Sequence, residues 1–106
     1  MVEIRWTPQA ADDLEAITNF IAADSAHYAS LFAIDVLSAV DRLTDFPYSG
    51  RSLPELNDPA IREILFGSYR IVYRVKSDMV ELLTVYHGSQ LLDPSRLTID
   101  DSISLK

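Results

Sequence analysis

The chain has 106 residues, a net charge of −7 and 48% hydrophobic residues, the size and balance of one soluble globular domain with one modest core. It has no Cys, which excludes a disulfide framework, a thiolate zinc site and a thiol nucleophile. No apolar run reaches membrane-spanning length, and the N-terminal MVEIRWTPQ lacks a signal-peptide pattern, so the cytoplasm is the expected compartment. The acidic balance disfavours loose, charge-driven binding to nucleic acid and leaves open only a local basic patch.

Val2–Trp6 alternates and predicts a short strand. Thr7-Pro8 predicts a helix start, with Thr as cap and Pro at the first position, where no N–H is needed. Asp12, Asp13 and Glu15 fall early in that helix, where its dipole favours them. Ala10, Leu14, Ile17 and Ile21 recur at helical spacing and give it one buried face. Asp24-Ser25 ends it and caps a second helix, predicted from about Ala26 to Phe46. The core stripe there is Phe32, Val36, Ala39, Val40 and Leu43, with Tyr28 and Phe46 at its ends. Leu31, Ile34 and Leu37 lie opposite, as scattered surface residues or as a docking surface for a partner. The short connection makes the two helices an antiparallel hairpin.

Phe46–Pro59 holds three of the five prolines and one of the three glycines, and reads as a loop from helices to sheet. Ile61–His87 then reads as three strands joined by two tight turns. Gly67-Ser68 is a two-residue hairpin signal, which pairs Phe66 with Tyr69, Ile64 with Ile71 and Arg62 with Tyr73. A second turn closed at Lys76 and Met79 puts Tyr73 opposite Leu82 and Arg74 opposite Glu81, like against like. After His87, Gly88 and Pro94 break regular structure, and the domain is expected to end near residue 97, with 98–106 a polar tail.

The strongest chemical grouping is Arg70, Arg74 and His87 on one sheet face, with Arg62 near the far end of the first hairpin. Two arginines beside a histidine can clamp a phosphate and move a proton. The competing reading is that Glu63 and Glu81 neutralise these arginines as cross-strand pairs. Tyr69, Tyr73 and Tyr86 read as packing residues of the core face, which turns Tyr86 away from Arg70. His27 reads as surface, and Asp12, Asp13 and Asp24 as helix-end charges rather than metal ligands. No cofactor motif, Gly-rich phosphate loop or Ser/His/Asp arrangement is present. Val72, Leu83 and Val85 form an apolar strip with no evident cover except Leu91, Leu92 and Leu97. The residues alone thus define a small α+β domain: an N-terminal strand and a helical hairpin packed on an antiparallel sheet, bearing an anion patch.

Five segments carry a resemblance further. They are Ile4–Ala10 with Asp13-Leu14, Phe46–Arg51 (FPYSGR), Ile61–Glu63, Gly67–Arg74 (GSYRIVYR) and Val85–Gly88 (VYHG). In this order they resemble the RelE/ParE family of toxins of type II toxin–antitoxin systems, the ParE branch most. The resemblance implies a cytoplasmic protein that arrests growth when free and is neutralised by a cognate antitoxin laid across its surface. ParE-like members poison DNA gyrase, whereas RelE-like members cut messenger RNA on the ribosome.

Carried over residue by residue, Arg70 matches the arginine that RelE-like nucleases use at the phosphate, and Arg62 a basic position on the preceding strand. The second basic position there is Ile64 here. His87 matches the histidine of the ParE-like "HG" ending, which usually continues to an arginine where this chain has Gln90, and no tyrosine follows Tyr86. These departures argue against RNA cleavage. The resulting expectation is a gyrase inhibitor that is not an enzyme and needs no cofactor, binding through Arg70, Arg74, His87, Val72, Leu83, Val85 and Ile34. The alternatives are an endoribonuclease using Arg70, His87 and Arg62, or a member that only binds its antitoxin. The antitoxin is expected on the Val72/Leu83/Val85 face or on the outer arc of the second helix, in a heterotetramer, or a homodimer forms there instead.

Overall fold

The computed structural model describes residues 2–53 and 55–89. In chain order these form β1 (Glu3–Trp6), α1 (Pro8–Ala22), α2 (Ala26–Asp41), a 3-10 turn (Arg42–Thr44), β2 (Arg51–Ser52), β3 (Ile61–Phe66), β4 (Tyr69–Val75) and β5 (Met79–His87). Gln90, the tail 98–106 and the expected cover of Leu91, Leu92 and Leu97 lie outside the described residues.

Both predicted caps form. The Thr7 hydroxyl accepts from the Ala10 N–H and Ser25 from the Tyr28 N–H, each satisfying a donor that the helix leaves unpaired. The acidic residues expected at the dipole of α1 lie beyond its first turn, so that favourable charge is absent. The second helix stops at Asp41 rather than running to Phe46. Pro47 disfavours helical geometry in the residue before it, so the chain tightens into a 3-10 turn and leaves Phe46 66% exposed.

The sheet has five strands in the order β1-β5-β4-β3-β2. Two features differ from the expected antiparallel sheet. The N-terminal strand joins β5 in parallel, Glu3 opposite Met79 through Trp6 opposite Leu82, so the sheet is mixed. The helix hairpin is the crossover that a parallel neighbour requires. Part of the predicted loop also becomes β2, with Arg51 opposite Glu63 and Ser52 opposite Arg62.

The first hairpin has the predicted register, with Gly67 at φ 58°. Beyond the second turn, Tyr73 opposes Leu82 and Arg74 opposes Glu81, also as predicted. The register then slips: Val72 pairs with Thr84 and Ile71 with Val85, leaving Leu83 as the extra residue of a β-bulge. Groups from the start of α1 complete this bulge. The Asp13 carboxylate accepts from the Thr84 hydroxyl and from the Val85 N–H at 3.2 Å. Thr7 donates its hydroxyl to the Leu82 carbonyl at 2.7 Å, with the Leu83 carbonyl 3.3 Å away. Backbone groups at the bulge therefore keep partners although the ladder is interrupted.

One core lies between helices and sheet, with Ala10, Val36, Val40, Leu43, Ile71, Tyr73, Leu82 and Val85 buried and Leu14, Ile17 and Phe32 packed against it. A smaller cluster of Leu53, Ile61, Val72, Leu83 and Tyr86 occupies the other sheet face.

Candidate functional site

The face turned away from the helices carries the charged groups. Glu63 and Glu81 are buried there, at 1% and 0% exposure. A carboxylate removed from water requires opposite charge close by. Glu63 Oε2 accepts from Arg51 Nε at 2.7 Å, and its Oε1 lies 3.6 Å from Arg70 Nη1. Glu81 Oε1 lies 3.7 Å from both Arg74 Nε and Lys76 Nζ, and its Oε2 3.6 Å from Arg5 Nη1. Arg70 Nη1 is also 3.8 Å from Glu55 Oε2, on the loop that leads to β3. The arginines of this face are thus counterbalanced by acids, as the competing reading of the sequence held.

Arg70 sits opposite Tyr86 on β5. The nearby Tyr86 hydroxyl, then the Glu63 carboxylate, hold the Arg70 guanidinium above its ordinary pKa. Burial pushes the Tyr86 phenol up, against the opposing pull of Arg70. Among the described residues the Tyr86 hydroxyl completes no hydrogen bond, so its contact with Arg70 is electrostatic rather than a formed bond. A phenol kept protonated in this way is a poor proton acceptor at neutral pH.

The bulge redistributes the other predicted residues. His87 pairs with Tyr69 and stands edge-on to its ring at 5.2 Å, and Tyr69 in turn meets Phe32 of α2. His87 therefore lies on the helix face, across the sheet from Arg70 and Arg74. It is exposed, and its Nδ1 accepts from the Ser89 N–H at 3.1 Å, which places the proton of the neutral ring on Nε2. It lines a cleft of about 600 Å³ with Asp13, Ile17, Phe20 and Thr84. Tyr86 makes the reverse move, from the expected core face to the side of Arg70.

Val85 is buried in the helix-side core, apart from Val72 and Leu83. Those two are fully buried with Leu53, Ile61 and Tyr86, so the expected uncovered strip is divided and covered. Arg62 belongs to neither charged group. Its Nη1 donates to the Gly50 carbonyl at 2.8 Å and its Nε to the Pro59 carbonyl at 3.2 Å, and its guanidinium lies 5.0 Å from the Tyr48 ring centre. Ile34 is 59% exposed beside Leu31 and Leu37. With Ile4, Trp6 and Leu37 it lines a cleft of about 510 Å³ between β1 and α2.

Sequence reasoning missed Tyr86 beside Arg70, the pairing of Arg51 and Glu55 with this face, and the bond from Asp13 to the bulge. The one available signal was Leu82-Leu83, two apolar residues in succession where alternation required a polar one. Among the described residues no cluster of acidic and histidine side chains is placed to hold a metal ion. No helix among them is long and apolar enough to cross a membrane.

A helix hairpin on a mixed five-stranded sheet with this topology is the fold of toxins from toxin–antitoxin pairs. The structure superposes on a chain of the chromosomal ParDE system from P. aeruginosa with a TM-score of 0.68 at 23% identity, covering 82% of this chain and 96% of that one. It superposes on a chain of the RelBE2 toxin–antitoxin complex from Mycobacterium tuberculosis with a TM-score of 0.52 at 23% identity, covering 81% and 96%. In sequence, residues 4–92 match the family described as "ParE toxin of type II toxin-antitoxin system, parDE". The chain is similar to toxin RelE2 of Caulobacter vibrioides, 30% identical over 92 residues, covering 86% of this chain and all of that one. It is 36% identical over 89 residues to Y4kP of Sinorhizobium fredii, whose name also describes a toxin, covering 82% of this chain and 88% of that one. The chain belongs to the RelE/ParE family of toxins of type II toxin–antitoxin systems.

Proposed function

We propose that this toxin acts as a ParE-type inhibitor of DNA gyrase in the cytoplasm, without cutting RNA, and is silenced by a cognate antitoxin. The observation that carries the reading is the separation of Arg70 from His87 by the sheet, with Arg70 held by Glu63 and Glu55. Cleavage through a ribose hydroxyl requires a base, an acid and charge stabilisation converging on one phosphate. Here the histidine is on the wrong side, the phenol beside Arg70 is buried and protonated, and a phosphate would meet two carboxylates around the same guanidinium. Inhibition of a protein target needs only a shaped surface. Membership in the ParE family supports gyrase as that target.

Purified protein is expected to block gyrase supercoiling, and His87→Ala to retain most of the inhibition. Undisturbed supercoiling together with new messenger cuts on translating ribosomes, lost on mutating Arg70 or Tyr86, would establish the nuclease instead. For the antitoxin, the surface of exposed Ile34 and Leu37 beside half-buried Trp6 is the better supported seat, since Val72, Leu83 and Val85 are buried. Ile34→Asp should weaken the toxin–antitoxin complex at least about tenfold in a calorimetric titration, as expected of a central apolar contact. Unchanged affinity would move the antitoxin elsewhere.

A further inference from the structure

We propose that the free toxin pairs with a second copy of itself through the outward face of α2, the two helices running antiparallel and crossing at Ile34. The register follows from the residues of that face. A helix turns about 100° per residue, so the α2 positions within about 60° of Ile34 are those three, four and seven residues to either side. They are Leu31 and Leu37, Ser30 and Ser38, and His27 and Asp41; with Ile34, all are exposed. A two-fold axis through Ile34 sets each residue against its opposite number. Ile34 meets its own copy, Leu31 meets the partner subunit's Leu37, and Ser30 meets the partner subunit's Ser38. His27, a donor, meets the partner subunit's Asp41, an acceptor, once at each end. The face is thus self-complementary, apolar at its centre and opposite in charge at its two ends.

The helix dipole points to the same pairing. Asp41 is the last residue of α2 and His27 the second, so each sits at the end of its own helix that disfavours its charge. Antiparallel pairing sets each beside the opposite end of the neighbouring helix, where the dipole favours it. Among the described residues neither side chain makes an ion pair or a side-chain hydrogen bond within the chain. Ile34, Leu37 and Leu31 are 59%, 49% and 42% exposed, apolar area that a second copy removes from water. The cleft of about 510 Å³ beside Ile34 and Leu37, with half-buried Trp6 in its wall, leaves room for the partner subunit's Leu31. The antitoxin seat proposed above shares Ile34 and Leu37, so antitoxin and second copy exclude each other there. The pairing itself depends neither on that seat nor on gyrase being the target.

The test uses the full chain without antitoxin. Sedimentation equilibrium should show monomer and dimer with a Kd of about 10–100 μM, as one helix on one helix buries little area. His27→Asp should weaken the dimer about tenfold by setting carboxylate against carboxylate, and adding Asp41→Lys should restore it. Both changes suit the dipole of α2, so the melting temperature of the dilute monomer should not fall. The chain has no Cys, which makes cross-linking a test of register. Ile34→Cys should form a disulfide with its own copy under diamide. Ser30→Cys should not, because its two copies lie about 12 Å apart along the axis. A chain that stays monomeric at about 1 mM, far above the expected Kd, would overturn the proposal. So would a double variant no tighter than His27→Asp, or Ser30→Cys cross-linking as readily as Ile34→Cys.

Discussion

At the scale of single residues, Gly50 shows how the sequence is constrained by close approach. Its N–H donates to the Tyr73 hydroxyl at 2.9 Å. A Cβ at Gly50 would lie 2.5 Å from that hydroxyl and 2.6 Å from the Glu63 carbonyl. The carbonyl belongs to a strand paired on both sides and has nowhere to move. Gly50→Ala should therefore cost about 1–3 kcal/mol in urea unfolding, as overpacking does. Tyr73→Phe removes one hydrogen bond and should cost about 1 kcal/mol. A Gly50→Ala midpoint equal to that of the parent would contradict the clash. Phe32 packs its ring against Phe66 and Tyr69 at 5.8 and 5.1 Å while remaining half-buried. Its replacement by Ala should cost about 3 kcal/mol, the low end for a core aromatic; a loss below about 1 kcal/mol would remove it from the core.

Among the elements, β5 decides which groups meet. Its bulge places Tyr86 with Arg70 and sends His87 to the helices. Asp13 of α1 holds that arrangement through the Thr84 hydroxyl and the Val85 N–H. Asp13→Ala leaves this N–H without its partner and should destabilise the fold by about 1–3 kcal/mol. The same variant should loosen the register. Nuclear Overhauser contacts between Tyr69 and His87 should weaken before those between Tyr73 and Leu82, which lie on the unbulged side. Equal persistence of both sets would show that the strand keeps its bulge without α1.

For the whole molecule, the clearest pH dependence is alkaline. Burial raises Tyr73, outweighing the Gly50 N–H and the nearby Arg62, and burial raises Tyr86 as well. Their folded pKa values thus exceed the ordinary 10, so above that pH the unfolded chain has released protons that the folded chain retains. Stability from these groups is complete below about pH 10 and is lost as pH rises through the folded values. The slope is at most about 1.4 kcal/mol per pH unit for each tyrosine. Urea midpoints should fall above pH 10, and the Tyr73→Phe, Tyr86→Phe double variant should flatten that fall. A double variant with the parent's slope would assign the alkaline loss to other groups.

The sequence by itself determined what depends on neighbours along the chain. Thr7-Pro8 and Ser25 fixed the helix starts, and the apolar stripe of Val36, Ala39, Val40 and Leu43 fixed the buried side of α2. Gly67-Ser68 and the turn closed at Lys76 fixed two registers, because turn geometry and side-chain alternation are local rules. The ion pairing of Arg70 and Arg74 was legible as one of two readings. The tertiary structure alone decided the parallel seat of β1, the pairing of β2, the early end of α2's regular turns and the bulge in β5. Thr7 and Asp13 meet β5 across 75 and 71 residues of chain, and no periodicity reports such a contact. A bulge of one residue reverses the face of every side chain beyond it. The sequence therefore named Arg70, Tyr86 and His87, while the contact of α1 with β5 determined which two share a side.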